Sequence, residues 1–95
     1  MENREGKFFV YIVQCKDGTF YTGYTKNVEE RIALHNSGNG AKYLRGRLPV
    51  KLVYMKGYHY YKNALSAERR FKKLTREQKS EFIRIYAENK CNIAK

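Results

Sequence analysis

Acidic residues are scarce in this chain: 9 Asp and Glu stand against 20 Lys and Arg in 95 residues, a formal charge of +11. That imbalance points to a polyanionic partner, most simply nucleic acid, although a ribosome-associated or merely soluble basic protein carries charge of the same sign. Long apolar runs are missing, so no segment reaches membrane-spanning length. The stretch Met1-Glu2-Asn3-Arg4-Glu5-Gly6 lacks the apolar core of a secretory signal. Cysteine is limited to Cys15 and Cys91, without the CxxC or Cys/His spacing of a zinc site. Both are expected to be free thiols in a reducing cytoplasm. No internal repeat or domain boundary is visible, and the length suits one small domain with a modest core. The expectation is a single domain over 1–95, with its core at about 8–88 and a frayed tail over 89–95.

Residues Phe8 to Cys15 are rich in β-branched and aromatic side chains and read as a strand. Lys16-Asp17-Gly18 is a turn signal, and Thr19 to Tyr24 reads as the returning strand. Asn27, with Glu30 three residues on, predicts a capped helix over Val28 to Asn36. A basic, glycine-containing loop follows, from Gly38 to Pro49. Val50 to Met55 reads as a third strand, with Val50, Leu52 and Tyr54 alternating against Lys51, Val53 and Met55. Gly57 to Lys62 is an aromatic connector. Asn63 is the expected cap of a second helix reaching about Leu74, and Thr75 with Gln78 opens a third helix to about Glu88. The fold class is therefore α+β: a three-stranded, mostly antiparallel sheet flanked by helices, in the order β-β-α-β-α-α.

The turn length decides which faces the two hairpin tyrosines occupy. A two-residue loop at Asp17-Gly18 puts Tyr11 and Tyr21 on opposite faces. A three-residue loop with Gly18 left-handed pairs Val13 with Tyr21 and Tyr11 with Gly23, and both phenols then share a face. Gly in the third position suits the bulge, and Gly23 leaves space beside the Tyr11 ring. Taken singly, either tyrosine reads as an ordinary strand aromatic among the 9 tyrosines present.

At about 100° per residue, Arg31 and His35 fall inside the apolar arc of the first helix, one turn apart. In the second helix Glu68 lies inside the arc of Ala64, Leu65, Ala67, Phe71 and Leu74. Charges aimed at a sheet need partners. An Arg31–Glu68 salt bridge at the core margin is one solution, and a polar site is another. The set is chemically coherent for phosphodiester hydrolysis. Glu68 suits Mg²⁺, which takes few carboxylates and keeps its waters. Arg31 suits a phosphate and the charge that develops on it. Tyr11, Tyr21 and His35 are candidates for handling the proton of the attacking water. A lone carboxylate favours one metal over two.

Phe9-Val10-Tyr11 and Tyr21-Thr22-Gly23, followed by Tyr24-Thr25-Lys26-Asn27-Val28-Glu29-Glu30-Arg31, His35 and Glu68, resemble the motifs of the GIY-YIG nuclease family. The first element keeps only its tyrosine, and Thr22 stands where the second has Ile. The stretch from His35 to Tyr54 is similar to the small stand-alone bacterial branch, and to the nuclease domain of the branched-DNA-cutting Slx1 group. The resemblance implies a metal-dependent endonuclease acting on DNA, with branched or damaged DNA among its substrates. It implies Tyr21 as general base or water-orienting phenol and Tyr11 as its positioning partner. Arg31 would hold the phosphate, His35 would relay or orient a proton, and Glu68 would hold one Mg²⁺ or Mn²⁺. Gly23 completes the catalytic set, and the products would be a 3′-hydroxyl and a 5′-phosphate. The position matching the family's asparagine is not assigned. Cytoplasmic action at the nucleoid fits this reading, with no membrane and no small-molecule cofactor.

Lys42, Arg45 and Arg47 on the glycine loop are candidates to follow a phosphate backbone, with Tyr43 available to stack on a base. Lys26 and Lys72 join the candidate nucleic-acid contacts. About five neutralised phosphates would give a log K versus log salt slope near −4 to −5. Two other readings stay open: a non-catalytic DNA- or RNA-binding module that retains the fold, and a small basic protein that assists ribosomes or RNA processing.

Overall fold

The computed structural model describes residues 8–93, with side chains through residue 89. The elements are β1 (Phe8–Gln14), β2 (Phe20–Thr25), α1 (Val28–Asn36), β3 (Lys51–Tyr58), α2 (Tyr61–Lys72) and α3 (Arg76–Ile93), with a 3₁₀ turn at Lys42–Leu44. The three strands form one sheet in the order β2-β1-β3, and both pairings are antiparallel. The order is the expected β-β-α-β-α-α. Among the described residues, no helix is long and apolar enough to cross a membrane.

The hairpin closes through the three-residue loop. Gly18 has φ +89°, its N–H donates to the Cys15 carbonyl at 2.9 Å, and the Cys15 N–H donates to the Thr19 carbonyl at 2.8 Å. Tyr11 pairs with Gly23 and Val13 with Tyr21, so Tyr11, Tyr21 and Gly23 share a face. The cap of α1 also forms as expected, with Asn27 Oδ1 accepting from the Glu30 N–H at 3.0 Å. Such a cap contributes about 1 kcal/mol. At α3 the box is reciprocal: Gln78 N–H donates to Thr75 Oγ1 at 3.1 Å and Thr75 N–H to Gln78 Oε1 at 2.9 Å.

Three local expectations need correction. The alternation along β3 breaks, because Ile12 pairs with Tyr54 while Val13 pairs with Leu52. Val53 is thus the extra residue of a bulge. Val53 and Tyr54 pack on the Ile12 side, whereas Leu52 and Met55 pack on the Tyr11 side. β3 also runs on to Tyr58, and α2 starts at Tyr61 with Tyr60 as an N-cap that makes no side-chain bond, so Asn63 is not the cap. Tyr61 docks edge-on against Phe8 and Tyr24, a tertiary contact that outweighs local capping preference. Finally, α3 continues to Ile93, beyond the expected end near Glu88.

Side chains of β1 alternate between two apolar layers. Tyr11, Val13 and Cys15 pack with Leu44 and Val50, under α1 and the glycine loop. Phe8 and Val10 pack with Ala64 and Ala67 of α2, and Ile12 with Tyr54 and Phe71. The two helices bearing the predicted site residues therefore lie on opposite faces of the sheet. Cys15 is a free, buried thiol, whereas the side chain of Cys91 lies outside the described residues.

Candidate active site

A cavity of about 500 Å³ opens beside β2, which forms a free edge of the sheet. Tyr11, Tyr21 and Gly23 line it from one face of the sheet, and Tyr24 from the other. Arg31 and Glu30 reach it from α1, and Glu68 from α2. The site thus wraps around an edge strand, which is how helices on opposite faces contribute to one cavity. Lys26 and Asn27, at the β2–α1 corner, complete the rim.

Tyr11 forms the floor. Its side chain is fully buried and its Oη lies 2.9 Å from His35 Nε2. The ring occupies the space above Gly23: a Cβ there would come within 2.5 Å of Tyr11 Oη and 2.7 Å of Cζ. Burial, with the Tyr21 phenol adding to it, pushes the Tyr11 pKa up to about 12, while the Arg31 charge works in the opposite sense. Tyr11 therefore stays a neutral phenol across the physiological range.

His35 does not line the cavity. It lies behind Tyr11, only 2% exposed, as its place in the apolar arc of α1 foreshadowed. Its Nδ1 accepts the Ala41 backbone N–H at 3.2 Å. A backbone amide can only donate, so Nδ1 carries no proton and the neutral ring holds its proton on Nε2. Nε2–H then donates to Tyr11 Oη, and the Tyr11 hydroxyl proton is free to point elsewhere. Burial, and secondarily the Arg31 charge, lower the His35 pKa and favour this neutral tautomer. Gly40 makes the arrangement possible, since a Cβ there would overlap the imidazole and lie 2.7 Å from His35 Cα. Gly40 and Ala41 are not among the candidate site residues read from the sequence; their signal is their place in the stretch from His35 to Tyr54 that resembles the small bacterial branch.

The Tyr21 ring packs edge-on to His35, with centroids 5.7 Å apart, and stacks on Tyr43 at 5.9 Å. Tyr43 is 47% exposed, but this stack and the Arg47 guanidinium 4.4 Å from its centroid give it an internal role as a brace behind Tyr21. Arg47 in turn donates to Asp17 Oδ2 at 2.7 Å and to the Tyr43 carbonyl at 3.1 Å, tying the glycine loop to the hairpin turn. Lys42 and Arg45 are exposed on that loop, outside the cavity wall.

Among the described residues no ion pair joins Arg31 to Glu68. The Glu68 carboxylate instead pairs with Lys72 Nζ at 3.3 Å, one turn along α2. The Glu68 side chain is 15% exposed and Lys72 55%, so the ammonium caps the carboxylate from the solvent side. Among the described residues no three His, Cys, Asp or Glu side chains gather as a metal-ligand set. One cavity carboxylate from α2, with the exposed Glu30 on the opposite wall, does not suit zinc, which takes three or four protein ligands. It does suit a hard cation that keeps most of its waters.

Residues 7–81 match the family described as the GIY-YIG catalytic domain. The chain is 51% identical over 77 residues to UPF0213 protein spr1390 of Streptococcus pneumoniae, covering 81% of this chain and 78% of that protein. It is 48% identical over 79 residues to UPF0213 protein BCE33L0031 of Bacillus cereus, covering 83% and 82%. Two solution NMR structures are similar. Protein EF2693 of E. faecalis aligns with a TM-score of 0.60 and 41% identity over 85% of this chain and 86% of that one. UPF0213 protein BH0048 of Bacillus halodurans aligns with a TM-score of 0.55 and 43% identity over 83% and 84%. With this match, its sheet order and the tyrosine-lined cavity, the chain belongs to the GIY-YIG family.

Proposed function

We propose that this protein is a metal-dependent endonuclease that hydrolyses phosphodiester bonds in DNA, with branched or damaged DNA as its substrate. One observation carries the reading. Tyr11, Tyr21, Gly23, Arg31 and Glu68, spread over most of the chain, line one cavity on a protein with a formal charge of +11.

In this reading Arg31 grips the scissile phosphate and balances the negative charge that builds on it. The Tyr11 phenol, accepting from His35, has its own proton free to donate to a phosphate oxygen or to the attacking water. Its high pKa and burial make it an orienting donor rather than a base. Tyr21, less buried and braced by Tyr43, is the phenol that orients the water and takes its proton. His35 orients rather than relays, because both of its ring nitrogens are engaged. Glu68 would hold one Mg²⁺ or Mn²⁺, which supplies Lewis-acid charge at the phosphate. In-line attack leaves a 3′-hydroxyl and a 5′-phosphate. Lys26 on the cavity rim, with Lys42 and Arg45 on the loop, would contact flanking phosphates.

The test is cleavage of end-labelled duplex, flap, fork and four-way-junction DNA with Mg²⁺ or Mn²⁺, with the ends of the products identified. Metal-dependent cutting that leaves 5′-phosphates supports the reading. Tight, salt-sensitive binding without cutting replaces it with a binding module.

A further inference from the structure

Beyond the cavity, the same edge of the sheet carries an aromatic ledge with no role in the chemistry above. Tyr61, the first residue of α2, meets Tyr24 with centroids 5.5 Å apart and Phe8 at 5.8 Å, both edge-to-face. Tyr24 also lines the cavity, so ledge and cavity share a wall. Lys26, on the cavity rim, holds its Nζ 5.6 Å from the Phe8 centroid. Packing accounts for Phe8, which is 6% exposed, but not for the surface that Tyr61 and its neighbour Tyr60 leave to solvent, 47% and 62%. Tyr61 anchors the start of α2, yet two adjacent tyrosines this open still leave aromatic surface to solvent that these contacts do not use.

We propose that this ledge is a stacking subsite for one unpaired nucleobase of the strand whose phosphate enters the cavity. The proposal rests on the nuclease reading for the position of that phosphate. It extends that reading by naming what the protein recognises beside the cut, an unpaired nucleotide rather than a sequence. The chemistry fits. Every base has a π-face for a tyrosine ring, and stacking of this kind tolerates any base. Lys26 sits where the phosphate between a stacked base and the cavity would pass, and the +11 charge draws in a polyanion. Tyr43, the stacking candidate suggested by the sequence, is stacked on Tyr21 and covered by the Arg47 guanidinium, whereas Tyr61 meets Phe8 and Tyr24 in T-shaped contacts and Tyr60 meets His59 at a tilt, with no ring stacked parallel on either among the described residues.

The experiment uses the full chain in EDTA, so that nothing is cut, and a flap oligonucleotide with 2-aminopurine as its first unpaired base. A fully paired duplex carrying the same base is the control. Wild type and Tyr61→Phe should quench the flap probe on binding. Tyr61→Leu and Tyr60→Leu should lose the quench and bind the flap about tenfold more weakly, within the range for one lost base stack. Their affinity for the duplex should stay unchanged. If Tyr61→Leu fails to fold, Tyr60→Leu decides alone, since Tyr60 is the more exposed. Quenching that survives the leucine variants overturns the proposal, as does an equal loss for flap and duplex or no binding of the flap by wild type. A wild-type dimer that these variants dissociate overturns it in favour of a self-association surface. Quenching without metal-dependent cutting would remove the nuclease reading and leave the ledge standing. Cutting that ignores Tyr60 and Tyr61 would do the reverse.

Discussion

Tyr11 and His35 stand 24 positions apart in the chain and 2.9 Å apart in space, Oη to Nε2, with both side chains sealed from solvent. The Ala41 amide fixes which His35 nitrogen bears the proton, and thereby makes Tyr11 Oη the acceptor of that bond, leaving its own proton for the cavity side. A buried imidazole on one element thereby sets the floor of a cavity that it does not touch.

This arrangement predicts a pH signature. Burial lowers the His35 pKa in the fold below its ordinary 6.5. Between the two values the unfolded chain binds more protons, so stability rises with pH. The His35 contribution is fully present above about pH 6.5 and is lost as pH falls through the lowered folded value. His35→Gln should cost about 1–3 kcal/mol at pH 7.5, because Tyr11 Oη or the Ala41 N–H is left poorly paired. The gap between wild type and variant, read from urea midpoints, should narrow as pH falls below 6.5. A gap independent of pH would contradict the buried neutral tautomer.

Gly23→Ala should be destabilising through Tyr11 alone. The new Cβ would lie 2.5 Å from the phenol oxygen, and overpacking of this kind costs about 1–3 kcal/mol. In a Tyr11→Ala background most of that cost should vanish, which a double-mutant cycle on denaturant midpoints reads directly. Additive effects would mean that Gly23 serves the backbone rather than the ring above it.

Lys72 competes for the carboxylate proposed to hold the metal. Exposed ion pairs are worth about 0.2–1 kcal/mol, so Lys72→Met should tighten Mn²⁺ binding at Glu68 by no more than about fivefold. Methionine keeps the length and helix propensity of the side chain. Titration of free Mn²⁺ by electron paramagnetic resonance measures the shift. Weaker binding in the variant would mean that Lys72 organises the site instead of masking it.

The hairpin and the two capped helices were legible because their determinants are local. Gly18 in third position sets the loop, Asn27 and Glu30 set one helix start, and Thr75 and Gln78 another. What stayed hidden depended on partners distant in sequence. The bulge at Val53 is a property of pairing with Ile12 and Val13 and has no mark in the strand itself. Tyr61 begins α2 because Phe8 and Tyr24 hold its ring, against the local claim of Asn63. Arg47 reads as a free phosphate contact until Asp17, 30 positions earlier, is seen to take its guanidinium. The candidate site was legible as residues out of place, namely Arg31, His35 and Glu68 inside apolar arcs. Its wrapping of the β2 edge was not, since that needs the sheet order.

The most direct test of the account is the single-turnover cleavage rate of one flap substrate in Mg²⁺ by wild type, Glu68→Ala and Tyr21→Phe, each verified as folded by circular dichroism. The account predicts cutting by wild type and a loss of at least about a hundredfold in each variant, the lower end of what positioned proton transfer contributes for Tyr21 and within the several kcal/mol a held metal supplies for Glu68. Cutting that survives both substitutions would place the activity outside this cavity and contradict the central claim.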